Sequence, residues 1–205
     1  IITGQFFFQK PETRVPLSDG AGIVSAIGEG VTNFAVGDRV TCNHFSDWIA
    51  GPWDPDFYYP SDLGDNRDGF LAEKTLVPAH CAVKLPDNVS FEDAATLPAA
   101  GLTAWRMLFE MAQIKPSDTI LTLGTGGVSM FTVQLAKLGG ARVIVTSSSD
   151  EKLALMKTLG ADSGINYNSR PDWDKVVMEI TEGRGVQKVF DHAGPATMRL
   201  SMRSA

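Results

Sequence analysis

The chain has little of what marks a disulfide-stapled, membrane-spanning or nucleic-acid-binding protein. Its 205 residues include two cysteines, Cys42 and Cys81, and three histidines. Two cysteines give no disulfide framework, and their scarcity suits a reducing compartment. No apolar run approaches the ~18 residues of a membrane span. No run of like charges is present, and the formal net charge is −6. That balance does not favour nucleic acid or an anionic membrane as a partner. The opening Ile1-Ile-Thr-Gly-Gln-Phe-Phe-Phe8 lacks the basic region and cleavage site of a secretory signal. These absences predict a cytoplasmic protein whose partner is a small molecule. The chain starts with Ile and stops at Met202-Arg-Ser-Ala205, so we expect a fragment, or a truncated gene model, of a longer protein.

What is present is a 43% hydrophobic composition in two textures. Residues 15–90 carry short β-like stretches between turn signals. Gly22–Gly28 and Asp38–Cys42 read as strands, with turns at Gly28-Glu-Gly30, Gly37-Asp38 and Pro86-Asp-Asn88. Residues 46–69 form a long aromatic loop rich in Pro and Gly, a length usually reserved for function or motion. From Leu97 helices and strands alternate. Helices are expected at Ala99–Met111, Val128–Leu138, Asp150–Leu159 and Pro171–Thr181. Strands are expected at Thr119–Leu123, Arg142–Thr146, Gly164–Tyr167 and Gln187–Asp191. This alternation implies a parallel sheet with right-handed crossovers. The expected fold class is α/β: a β-rich domain over 1–98, then a doubly wound parallel sheet over 99–205, both partial.

The segment Thr119-Ile-Leu-Thr-Leu-Gly-Thr-Gly-Gly-Val-Ser129 carries the most chemistry. A strand runs into a glycine-rich turn and a helix follows at once. Gly124 permits the tight turn, and Gly126 lets backbone approach a pyrophosphate. Thr125, Gly127 and Val128 complete the turn, and the first N–H groups of the helix point at the negative charge. The third fingerprint position is Ser129 instead of glycine. A second strand about 20 residues on supplies the remaining context.

The end of that second strand bears on NAD against NADP. A carboxylate there accepts from a ribose 2′-hydroxyl and repels a 2′-phosphate. Here the position holds Thr146-Ser-Ser-Ser149. Hydroxyls of Ser147 and Ser148 can donate to phosphate, and Lys152 follows as a cation. This favours NADPH, although Ser147 and Ser148 also suit plain turn or cap chemistry, and Lys152 a solvated helix face.

Several segments together resemble the medium-chain dehydrogenase/reductase superfamily, closest to its zinc-independent, quinone-oxidoreductase-like branch. They are Gly20-Ala-Gly-Ile-Val24, Gly28-Glu-Gly-Val-Thr-Asn-Phe34, Gly37-Asp-Arg-Val40, Leu97-Pro-Ala-Ala-Gly-Leu-Thr-Ala-Trp105, Gly124-Thr-Gly-Gly-Val128 and Leu159-Gly-Ala-Asp-Ser-Gly-Ile-Asn-Tyr167. The resemblance implies a GroES-like catalytic domain followed by a Rossmann domain. It implies that Lys152 and Tyr167, 15 positions apart, bind the 2′-phosphate and adenine side. It places Thr103 near the nicotinamide half, and it implies a homodimer at full length.

Zinc-dependent relatives carry Gly-His-Glu before the Gly-Ala-Gly strand, where this chain has Leu17-Ser18-Asp19. Residues 43–69 contain no cysteine for a structural zinc. Cys42 and His44 are two ligand types where three or four are needed. We therefore expect no metal. Without zinc, hydrogen-bond donors must polarise the substrate, which favours quinones, enones or other activated carbonyls. His44, Tyr58 and Tyr59, with Trp48, are candidate donors, with aromatic packing of the long loop the favoured reading of each. His192, with Ala193 and Gly194 after the last strand, lies where the nicotinamide ribose is expected. The expected function is an NADPH-dependent oxidoreductase. The alternatives are a non-catalytic NADPH-binding relative, an enoyl-reductase module of a larger synthase, and a methyltransferase. The last requires an acidic residue where Ser147 stands.

Overall fold

A computed structural model describes residues 14–205, so the Ile1–Phe8 segment lies outside the described residues. The chain divides into two compact units, the first ending at Ala99 and the second running Ala100–Ala205.

The first unit is built on a three-stranded antiparallel sheet of order β1-β2-β3, with β1 Ala21–Ile23, β2 Arg39–Cys42 and β3 Ala82–Lys84. Gly22 faces Val40, and Thr41 faces Val83. β1 is shorter than the 22–28 stretch suggested. Val24 makes the last ladder bonds, with Asp38 and Gly37, and Gly37 turns the chain at φ 98°. The aromatic loop holds a short helix α1, Pro55–Tyr58, capped by Asp54 and started by proline. Helix α2, Phe91–Ala94, is capped by Ser90, which accepts from the Asp93 N–H. Cys42, Leu63 and Cys81 are the buried centre of the unit.

Leu17 adopts a left-handed φ of 76°. Its carbonyl accepts the Phe70 N–H at 2.9 Å, while Val15 accepts from Gly69 at 2.8 Å. A Cβ on Gly69 would overlap the Leu17 carbonyl oxygen, so only glycine allows these strands of chain to lie so close.

The backbone is helical from Leu97 to Met111. Wide π turns over Leu97–Gly101 and Arg106–Met111 flank α3, Leu102–Trp105. The second unit then lays down β4 Thr119–Leu123, α4 Gly127–Leu138, β5 Arg142–Ser147, α5 Asp150–Thr158, β6 Ser163–Asn166, α6 Trp173–Ile180, β7 Lys188–Phe190 and α7 Pro195–Arg203. The four strands form a parallel sheet of order β6-β5-β4-β7.

Side chains alternate across this sheet. Ile120, Val143 and Val145 pack with Leu108, Val133, Ala136 and Met156 on one face. Leu121, Leu123 and Ile144 pack with Trp173 and Val177 on the other. Both faces are covered, which is why the strands read as continuous apolar runs. Each fully buried Leu, Ile or Val contributes roughly 1.5–3 kcal/mol. Asp162 ties the edge: it accepts from the Val143 N–H at 2.7 Å and pairs with Lys137 at 2.9 Å.

Four elements escaped the sequence pattern, the short helices α1 and α2 among them. β3 is three residues long and carries no period. α7 begins with Pro195 behind Gly194 at φ 93°, a start signal set in a polar stretch.

Candidate cofactor site

In the second unit the carboxyl ends of the parallel strands gather the residues expected to hold a dinucleotide. β4 ends at Leu123, and Gly124 turns the chain with φ 77°. Gly126 is the N-cap of α4, and no side chain caps that helix end. The first N–H groups of α4 therefore have no partner within the helix, and the dipole there favours an anion. A Cβ built on Gly124 or Gly126 meets nothing within 4 Å. The space over the turn is open, as backbone contact with a phosphate requires. The cradle fits a pyrophosphate on these observations. Gly127 sits close to Ala100, whose Cβ is 3.4 Å from the position of a Gly127 Cβ. Thr103 is exposed on α3, which packs against α4.

The turn is tied sideways to β5. The Thr125 and Ser147 hydroxyls meet at 3.3 Å, and the Gly124 N–H reaches the Thr146 hydroxyl at 3.4 Å. Ser147 is 2% exposed and its oxygen also accepts the Ser149 N–H. Its hydroxyl is taken up inside the protein, while Ser148 is exposed. Ser149 is the N-cap of α5, accepting from Lys152 N–H. The exposed Lys152 thus rises from the first turn of α5, and its ammonium has no carboxylate partner among the described residues. Tyr167 is anchored by its N–H to the Ser147 carbonyl at 3.0 Å, with its side chain half-exposed.

Beyond β7 the Asp191 carboxylate organises the turn. It accepts from the Ala193 N–H at 3.0 Å, Thr197 at 2.8 Å and Ser201 at 2.6 Å. Burial pushes the Asp191 carboxyl up, but the Ser201 and Thr197 hydroxyls and the Ala193 and Gly194 N–H groups outweigh it, leaving a net downward shift. Its sequence signal is weak, because Thr197 and Ser201 match no turn motif. Ser129 stands at the third fingerprint position and is completely buried, with His192 against it.

The donor candidates of the first unit have other surroundings. Phe45, Trp48, Trp53, Tyr58 and Tyr59 form one aromatic cluster, with Trp53 stacked on Tyr58 at 5.6 Å and edge-on to Tyr59 at 5.6 Å. The Tyr58 hydroxyl donates to the Ala50 carbonyl at 3.2 Å. The long loop is therefore a packed aromatic body. His44 differs: its Nδ1 is buried without a hydrogen-bond partner. Burial holds the imidazole below its ordinary pKa, against the opposing pull of Asp19 and the Pro98 carbonyl. Asp19 itself accepts the Ala99 N–H at 2.8 Å.

Cys42 is 3% exposed and its thiol lies against Cys81. The bond to Cys81, then burial, pushes Cys42 up, so it remains a thiol. Among the described residues no three His, Cys, Asp or Glu side chains converge as metal ligands. A groove of about 610 Å³ lines β1 and β2, bordered by Ile23, Val40, Phe70 and Val77, and it contains none of the cofactor candidates.

Comparison with known proteins assigns the ancestry. Residues 1–87 match the alcohol dehydrogenase GroES-like domain, and residues 127–205 match the zinc-binding dehydrogenase family. The chain belongs to the medium-chain dehydrogenase/reductase superfamily. A zinc-type alcohol dehydrogenase-like protein of Schizosaccharomyces pombe is 46% identical over 190 residues, covering 92% of this chain and 55% of the relative. A quinone oxidoreductase of Pseudomonas syringae has a TM-score of 0.78 at 37% identity, over 97% of this chain and 55% of its own. An Escherichia coli quinone oxidoreductase solved with NADPH has a TM-score of 0.75 at 30% identity, over 91% and 51%. The chain thus spans about half the length of these relatives, within the quinone-oxidoreductase-like branch of a superfamily of NAD(P)-dependent oxidoreductases. The fold is a GroES-like unit followed by a Rossmann-type parallel sheet, each partial. Among the described residues no helix is long and apolar enough to cross a membrane.

Proposed function

We propose that this chain is part of an NADPH-dependent oxidoreductase that reduces quinones, enones or other activated carbonyls without zinc. The observation that carries this reading is the open Gly124–Gly126 turn between β4 and the uncapped end of α4. The backbone of Gly124 to Val128 would hold the pyrophosphate. Ser148 and Lys152 would meet the 2′-phosphate, with Tyr167 beside the adenine; Ser147 supports this end from inside through Thr125 and Ser149. Ala193 and Gly194 would lie on the nicotinamide side. When bound, the nicotinamide supplies the hydride. The protein's part is to hold it still and to place hydrogen-bond donors where charge develops on the substrate oxygen. His44, Tyr58 and Tyr59 are the donor candidates of the first unit, with the Tyr58 hydroxyl already given to the Ala50 carbonyl at 3.2 Å. The assembly is proposed to be a cytoplasmic homodimer.

The test uses the full-length protein. NADPH and NADH are titrated by tryptophan fluorescence, then 9,10-phenanthrenequinone and a simple enone are added while absorbance at 340 nm is followed. Tighter binding of NADPH with oxidation by either acceptor is expected. Equal affinity for both nucleotides would remove the phosphate assignment, and binding with no turnover on any carbonyl would remove the enzymatic one.

A further inference from the structure

The order β6-β5-β4-β7 reverses between β4 and β7, which makes a crevice at their carboxyl ends. α4 follows β4 on one side of it, and the Asp191–Gly194 turn follows β7 on the other. One side-chain bond crosses between them: the Ser129 oxygen and His192 Nε2 are 3.0 Å apart. The protons in this bond can be counted. The single hydroxyl proton of Ser129 is donated to the Leu123 carbonyl at 2.9 Å. The oxygen can then only accept from the ring, so the hydrogen of neutral His192 is on Nε2. Nδ1 is left with a lone pair, on a side chain that is exposed at the crevice. The turn carrying it is held by Asp191 through Ala193, Thr197 and Ser201.

This placement bears on which half of the nucleotide His192 meets. Ser148, Lys152 and Tyr167 follow β5 and β6, on one side of the glycine turn, while β7 borders β4 on the other. A dinucleotide with its pyrophosphate on the turn and its adenosine over β5 lays its second ribose toward β7. Ribose hydroxyls are donors. We propose that Ser129 is a positioning residue that fixes His192 as the Nε2–H tautomer, so that Nδ1 accepts a hydroxyl of the nicotinamide-side ribose. This rests on the dinucleotide reading above. It also explains how serine stands where close helix–strand packing ordinarily calls for glycine: its hydroxyl is absorbed by the carbonyl it would otherwise crowd.

The experiment measures two ligands on the full-length protein, NADPH and 2′,5′-ADP, which lacks the nicotinamide half. His192→Ala is expected to weaken NADPH by on the order of fivefold, one neutral hydrogen bond, and to leave 2′,5′-ADP unchanged. Ser129→Ala should weaken NADPH in the same direction with 2′,5′-ADP again unchanged. Nitrogen-15 spectra should show His192 protonated on Nε2 in the parent and a mixture of tautomers in Ser129→Ala. A parent histidine protonated on Nδ1, an unchanged NADPH affinity in His192→Ala, or equal losses for both ligands would each overturn the proposal. A parent protein that binds neither ligand would remove the dinucleotide reading itself, and the proposal with it.

Discussion

Thr125 and Ser147 stand 22 positions apart in sequence, and their hydroxyls meet at 3.3 Å. The glycine turn and the end of β5 are therefore one braced corner. A change at the proposed phosphate side can be separated from a change at the pyrophosphate side, because Lys152 lies outside this brace.

Lys152→Ala is expected to weaken NADPH binding by roughly 1–3 kcal/mol, as for a lost charge-assisted bond, and to leave NADH nearly unchanged. The exposed ammonium also predicts that the difference shrinks as salt rises. Titration of both nucleotides at two ionic strengths checks it, and equal losses for NADPH and NADH would sink the assignment.

Gly126→Ala separates fold from ligand. The backbone at Gly126 has φ −80°, open to any residue, and a Cβ there touches nothing within 4 Å. Stability should change by less than about 1 kcal/mol, while nucleotide binding falls by a larger amount because the methyl group occupies the approach to the phosphates. Urea denaturation beside a binding titration reads both quantities.

Asp191 predicts an acid limb. Its carboxyl lies below its ordinary value when folded, so near and below about pH 4 the unfolded chain binds more protons than the native one. The stabilisation is complete above the unfolded value and disappears as pH falls through the folded one. Asp191→Asn should cost about 1–2 kcal/mol at pH 7 and less as pH falls through this range. Denaturation midpoints at pH 7 and pH 3.5 provide the comparison; a cost that is independent of pH would contradict it.

Gly69→Ala should destabilise the first unit by about 2–4 kcal/mol, since the added carbon falls on the Leu17 carbonyl, a backbone atom that cannot swing aside. Gly22→Ala is the control, because its Cβ would meet nothing within 4 Å. Similar losses at the two positions would mean that the Leu17 segment does not lie against Gly69 in solution.

The second unit was legible wherever a parallel strand had to be buried on both faces. Thr119–Leu123 and Arg142–Ser147 are apolar runs ended by turn residues, and the helices between them carry caps such as Ser149. The glycine turn was legible because chemistry restricts it to one residue type. The first unit was less so: β1 has three residues, and its pairing depends on partners some 18 positions away. The Ser129–His192 bond and the donors on Asp191 join residues separated by whole elements, and no local period announces them. The buried state of Ser147 likewise depends on Thr125, which sequence alone does not bring to it.

The cysteines have a practical consequence. Cys42 and Cys81 come together in the interior of the first unit, and the sequence of the second contains no cysteine at all. Thiol labelling at Cys42 and Cys81 is therefore a clock for the opening of the first unit, blind to residues 100–205, which carry the glycine turn. Run beside the fluorescence of Trp173, which is buried in the other half, it shows whether the two come apart together or in turn.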